Sequence, residues 1–190
     1  MLFLFYSITV SQETNLDSFL GIKWGANSST IKKIMQGKQG VTIDKKNSNM
    51  SMLIYDGGSF GGEDVYFWQF PIENDIGFYA VTVNYKTQEF NVIRLYRKIR
   101  ESISLKYGDP GENYENFTTP YHDGDGYETQ AIQMGKGSFI CSWKLNTELD
   151  YPNKIMLSIN ENLLIQLTYY NGALFNTAIE RAKKKNASEF

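Results

Sequence analysis

Tyr66-Phe67-Trp68-Gln69-Phe70-Pro71-Ile72-Glu73-Asn74-Asp75-Ile76-Gly77-Phe78-Tyr79-Ala80-Val81-Thr82-Val83 is the stretch whose reading decides the fold. Aromatic and β-branched residues dominate it and alternate with a period of two, the pattern of strands, and Asn74-Asp75 interrupts it with turn chemistry. A two-residue turn there sets Phe70 opposite Tyr79, Trp68 opposite Val81 and Tyr66 opposite Val83, which makes one continuous apolar face. The reverse face then carries Gln69, Ala80, Thr82 and Asn84, but also Val65, Phe67 and Phe78. That side is only partly polar, and it is the first place to look for a contact surface.

Working outward, Asn15 to Leu20 reads as a helical turn, and Ser28 is placed to cap a helix carrying Ile31, Ile34 and Met35 on one face. Gly37 is expected to end that helix in a left-handed conformation. From Val41 to Tyr85 the period of two persists, broken by turn formers at Lys46 to Asn49, Asp56 to Gly58 and Asn74-Asp75, which describes an antiparallel meander. A second helix spans Gln88 to Lys106, with Val92, Leu95, Tyr96, Ile99 and Ile103 at helical spacing, and ends at Gly108-Asp109-Pro110. After a polar loop, Tyr114 to Tyr127, strands are expected at Gln130 to Met134 and Ser138 to Leu145. A Lys136-Gly137 turn would align Met134 with Phe139 and Ile132 with Cys141. A last hairpin with Asn160-Glu161-Asn162 as its turn sets Ile159 opposite Leu163, Leu157 opposite Ile165 and Ile155 opposite Leu167. Leu174, Phe175, Ala178, Ile179 and Ala182 then share one side of a C-terminal helix.

The fold class is therefore α+β. Each half runs helix, glycine stop, antiparallel meander, so the chain reads as two helix-plus-antiparallel-sheet repeats, 13–86 and 87–190, packed as one compact body with a C-terminal helix. Residues 1–12 read as a truncated signal segment, because Met1 to Val10 is apolar without a preceding Lys or Arg and turns polar at Ser11 to Asn15; the alternative is an edge strand. Export to the periplasm or medium follows from the first reading and a cytoplasmic location from the second. No later run approaches the ~18 apolar residues of a membrane span.

Phe19-Leu20-Gly21-Ile22-Lys23-Trp24-Gly25, followed by Ser28 and the Ile31 to Met35 helix, resembles the start of bacterial envelope domains of the SmpA/OmlA type, and the β-lactamase-inhibitor-protein repeats look similar. The segment Leu105 to Pro110 is similar to the helix-ending glycine and proline of such repeats. The resemblance implies two short helices on a curved antiparallel sheet, often in tandem, and action by binding proteins rather than by catalysis. It transfers no contact residue, since the partner-contacting loops do not match.

The composition narrows the chemistry. A net charge of −2 weighs against nucleic-acid binding, and the single cysteine, Cys141, excludes an internal disulfide and any zinc site needing two thiolates. Gly57-Gly58-Ser59-Phe60-Gly61 fits G-x-S-x-G, but it runs into another strand where a nucleophile elbow needs a helix. The sole histidine, His122, sits among turn formers, and Cys141 shares the inward parity of Phe139, Trp143 and Leu145. Asp123, Asp125 and Glu128 are weak candidates for a cation, without the spacing of an EF-hand. Gly135-Lys136-Gly137-Ser138 lacks the order of a phosphate loop. Arg94, Arg97, Lys98 and Arg100 form a basic side on the long helix. No cofactor motif is present.

The first functional reading is a non-catalytic binding or assembly module of the cell envelope, meeting a protein through the outer sheet face (Val65, Phe67, Phe78) or through the Gly57 to Glu63 and Thr118 to Glu128 loops. The second is a small-molecule or metal-binding protein using a cleft between the halves, with Trp24 and Tyr66 as aromatic walls. A hydrolase is the third.

Overall fold

The computed structural model describes residues 14–187. The expectations for residues 1–12 fall outside these residues. In chain order the elements are β1 (Ser18–Phe19), β2 (Ile22–Lys23), α1 (Ser28–Gln36), β3 (Val41–Ile43), β4 (Met52–Gly57), β5 (Ser59–Phe60), β6 (Glu63–Asp64), β7 (Phe67–Glu73), β8 (Gly77–Phe78) and β9 (Ala80–Tyr85). A 3-10 turn (Glu89–Asn91) then leads into α2 (Val92–Tyr107), β10 (Glu112–Phe117), α3 (Glu128–Gln133), β11 (Gly137–Leu145), β12 (Asn153–Ile159), β13 (Ile165–Tyr170) and α4 (Gly172–Ala187). The protein is α+β, built on one main antiparallel sheet of nine strands in the order β10-β11-β12-β13-β9-β7-β4-β3, with β8 paired to β7.

Alternation along the strands puts one face of the sheet into the core. Phe139, Cys141, Trp143 and Leu145 of β11, Ile155 and Leu157 of β12, Ile165 and Leu167 of β13, and Trp68 and Phe70 of β7 are all buried there. They pack against Ile31 and Met35 of α1, and against Val92, Tyr96, Ile99 and Ile103 of α2. Each tryptophan also spends its indole N–H on a backbone carbonyl: Trp68 donates to Gly57 at 2.8 Å, Trp143 to Gly108 at 2.8 Å and Trp24 to Leu16 at 2.7 Å.

Both hairpins slip from the expected register by two residues. In the first, Glu73 pairs with Gly77, so the turn holds Asn74, Asp75 and Ile76. That odd slip turns Phe78 into the core, because the chain must bring β8 against residues 25–26: the Gly25 N–H donates to the Phe78 carbonyl at 2.8 Å and the Phe78 N–H to the Ala26 carbonyl at 2.9 Å. A further residue, Tyr79, is passed before β9, and Trp68 meets Val83 instead of Val81. The second odd slip restores parity, so Val81 and Val83 stay inside as expected. In the last hairpin Ile159 pairs with Ile165, and the loop runs from Asn160 to Leu164. The Asn160 Oδ1 accepts from the N–H groups of Asn162 and Leu164, both at 3.0 Å, and Leu163 takes a left-handed φ of 57°.

Other expectations are corrected. Ser18–Phe19 pairs with Ile22–Lys23 where a helical turn was expected, because Leu20 and Gly21 both adopt positive φ (51° and 75°) and close a two-residue hairpin. Asn27, not Ser28, caps α1 through its Oδ1, and Gly37 ends it in a right-handed conformation, φ −78°. Residues 128–133 form α3 and not a strand. The place beside β11 is taken by β10, part of the expected polar loop. β10 escapes an apolar-period reading because it is an edge strand rich in Glu and Asn, as exposed edges are.

α4 begins where the Asn171 Oδ1 accepts from the Leu174 N–H at 3.0 Å. Phe175 packs on Tyr170 and Tyr79, and Arg181 reaches Asp75 at 3.2 Å and Glu73 at 3.6 Å. Of the stripe expected on this helix, Ala178 is buried and Ile179 is exposed.

Candidate functional site

Two short hairpins and α2 enclose a cleft of about 390 Å³ above the middle of the sheet. Phe19 and Leu20 come from the β1–β2 hairpin, Phe60 and Gly61 from β5–β6, Ile99 and Ile103 from α2, and Tyr85, Leu167 and Tyr169 from β9 and β13 form its floor. Its size is within the range of small-ligand pockets, and its lining is chiefly apolar and aromatic, as those pockets are.

The β5–β6 hairpin is shaped by glycine. Gly61 and Gly62 both hold positive φ (63° and 82°), closing a tight two-residue turn that carries Phe60 inward. The Phe60 ring lies 5.3 Å from Phe19, 5.7 Å from Trp68 and 6.1 Å from Tyr169, centroid to centroid. An ion pair between Glu63 and Lys98 ties this hairpin to α2 at the mouth. The G-x-S-x-G match is thus a hairpin with Ser59 exposed on it, not a strand-turn-helix elbow.

Three tyrosines line the cleft: Tyr85, Tyr107 and Tyr169. The Tyr85 hydroxyl donates to the Phe60 carbonyl at a long 3.5 Å. Burial, then the Glu63 carboxylate, push the Tyr85 phenol well above the ordinary range. Tyr169 is raised as well, first by burial and then by the neighbouring Tyr85 and Tyr107. Both therefore stay protonated at neutral pH and present O–H donors in apolar surroundings. The cue for them in the sequence is parity: Tyr85 continues the Val81, Val83 stripe and Tyr169 the Ile165, Leu167 stripe, so each brings a polar tip into a core row.

The residues singled out from sequence lie elsewhere. Trp24 stacks on Phe78 at 4.8 Å and Phe78 is fully buried, which corrects its expected outward position. Val65 is also buried, since its N–H donates to the Gly58 carbonyl and the chain turns inward before β7. Phe67 is half-buried on the outer face, and Tyr66, expected inward, is 50% exposed with the Lys86 ammonium 5.1 Å over its ring. The structure brings Tyr66 and Phe67 edge to face and Trp24 and Phe78 together, but none of the five lines the cleft.

In the 118–128 loop, Asp125 accepts from the N–H groups of His122 and Tyr127, and Glu128 from that of Gly124. Asp123 faces the Arg97 guanidinium at 3.7 Å. These carboxylates are engaged with backbone and arginine, and among the described residues no three metal-ligating side chains gather. The basic side of α2 is partnered too: Arg97 and Arg100 both pair with Glu115 of β10. Cys141 is buried, and burial raises its thiol, which leaves it a core side chain.

The outer sheet face is different in kind. Gln69, Thr82, Thr168 and Met156 form a row across four strands, with Thr82 and Thr168 hydroxyls 3.0 Å apart. Gln166 donates to the Asn84 Oδ1 at 3.0 Å beside it. This face is a hydrogen-bonded amide and hydroxyl surface with scattered apolar residues. Comparison with protein-family models, curated proteins and solved structures finds no match to this chain.

Proposed function

We propose that this protein is a non-catalytic binding protein that takes a small apolar molecule into the cleft between the β1–β2 hairpin, the β5–β6 hairpin and α2. The observation that carries this reading is the cleft itself, about 390 Å³ with an aromatic floor and an ion pair at its mouth. A cleft of this size lined chiefly by apolar and aromatic side chains has the character of small-molecule pockets, which supports an apolar occupant. The strand order fits the tandem reading. β3, β4, β7 and β9 follow α1, β10 to β13 follow α2, and the last strand of each set pairs with the other at the centre. On that reading the ligand sits on the joint of two repeats. A place in the bacterial envelope and export belong to the same proposal and rest on the sequence pattern.

A second reading, docking of a protein on the outer face, is favoured by the half-buried row Gln69, Thr82, Thr168, which no wholly buried position interrupts. Fluorescence of 1-aminoanthracene separates the two. The expected result is saturable enhancement with the native chain and its loss in Ser102→Trp, which places an indole in the cleft from an exposed position on α2. Equal enhancement in both chains contradicts the cleft reading.

A further inference from the structure

The phenol groups of the cleft define what it accepts. Among the described residues the Tyr169 hydroxyl has no hydrogen-bond partner, and that of Tyr85 has only the long contact to the Phe60 carbonyl. The Tyr169 ring packs on Phe19 at 5.1 Å and Phe60 at 6.1 Å and lines the cleft beside Tyr85, so an acceptor bound in this apolar lining gains a phenol O–H that no protein group claims. Two cations line the mouth and both are engaged: Lys98 is paired with Glu63, and the Lys106 ammonium lies 4.9 Å over the Tyr107 ring. A carboxylate entering there would lie near the Glu63 carboxylate and would have to leave water and compete with the partners these lysines already hold.

Resting on the reading of the cleft as a ligand site, we propose that the ligand is a neutral, compact apolar molecule bearing a single accepting oxygen, a ketone, aldehyde or ester carbonyl, received by the hydroxyls of Tyr169 and Tyr85. The aromatic lining takes the apolar body, and the phenols fix its orientation. Phenols here are donors to a neutral oxygen, so recognition is independent of pH through the neutral range.

Acetophenone, ethylbenzene and benzoate, competed against 1-aminoanthracene on the full chain, test this directly, because the first two share a shape and differ in the accepting oxygen. Acetophenone is expected to compete about tenfold better than ethylbenzene, the effect of one buried hydrogen bond, and benzoate more weakly than either. In Tyr169→Phe the advantage of acetophenone is expected to fall to within about twofold while ethylbenzene is unchanged. Tyr107→Phe, at a half-buried position of the mouth, serves if the first variant does not fold; there acetophenone keeps most of its advantage, since Tyr85 and Tyr169 remain. Equal competition by acetophenone and ethylbenzene in the native chain, or tightest binding by benzoate, overturns the inference and leaves the cleft as a ligand site. Failure of all three to displace the dye, together with no effect of Ser102→Trp on the dye, overturns both.

Discussion

Asn153 shows how single side chains hold the N-terminal hairpin over the sheet. It is 2% exposed, and its amide donates to the Leu16 carbonyl at 2.9 Å and to the Asn146 Oδ1 at 3.0 Å, while its Oδ1 accepts from the Gly172 N–H at 2.9 Å. Asn146 in turn accepts from the Leu16 N–H at 2.9 Å. One buried amide thus fixes the start of the hairpin and the start of α4. Asn153→Leu leaves the buried Gly172 N–H without a partner and takes one of two donors from the Leu16 carbonyl and from the Asn146 Oδ1, which keep the Trp24 indole and the Leu16 N–H, and is expected to destabilise the chain by about 2 kcal/mol in urea unfolding; a loss below about 0.5 kcal/mol contradicts this role. The buried phenols give a second expectation. Tyr85, Tyr96 and Tyr169 are raised in the folded chain above the ordinary 10.0, chiefly by burial. Above pH 10 the unfolded chain therefore binds fewer protons than the folded one, and stability falls as pH rises. Urea midpoints between pH 9 and 11 are expected to drop more steeply for the native chain than for Tyr96→Phe, and parallel curves refute the assignment.

At the scale of elements, the turns explain where the sequence could be read and where it could not. The inward parity of Trp68, Val81 and Val83 was legible, because a slip of two residues leaves every side chain on its own face, and that of Cys141 and Trp143 because alternation along β11 does not depend on which strand lies beside it. The position of Phe78 was not, since the extra residue in its turn is imposed by residues 25–26, far away in sequence. β10 was missed for the same kind of reason: an edge strand is polar by selection, and its pairing with β11 is visible only in three dimensions. Gly77 marks the contact that sets the first slip. Its φ is +72°, and a Cβ there would collide with the carbonyl of Gly25. Gly77→Ala is expected to lower stability by more than 2 kcal/mol, about twice the ~1 kcal/mol expected for Gly61→Ala, whose φ is also positive but whose Cβ would meet open space. Equal losses by calorimetry would mean that the approach of residues 25–26 does not set the turn.

Across the whole molecule, the sheet carries two unlike faces. One packs against α1, α2 and the short hairpins and carries the aromatic cleft, and the other bears the amide and hydroxyl rows. The residues of the candidate cleft were not legible from residue type alone. A cleft with aromatic walls was one expectation, but the walls named were Trp24 and Tyr66, chosen by residue type. Tyr85 and Tyr169 form the floor because β9 and β13 meet at the sheet centre, a pairing between residues more than eighty positions apart. The most direct test of the cleft as the binding site is a methyl NMR titration of the full chain, labelled at Ile, Leu and Met, with acetophenone. The account predicts saturable shifts at Ile99, Ile103, Leu167 and Leu16, with Ile54, Ile140 and Met156 of the outer face unmoved; shifts confined to those three outer-face residues would contradict it.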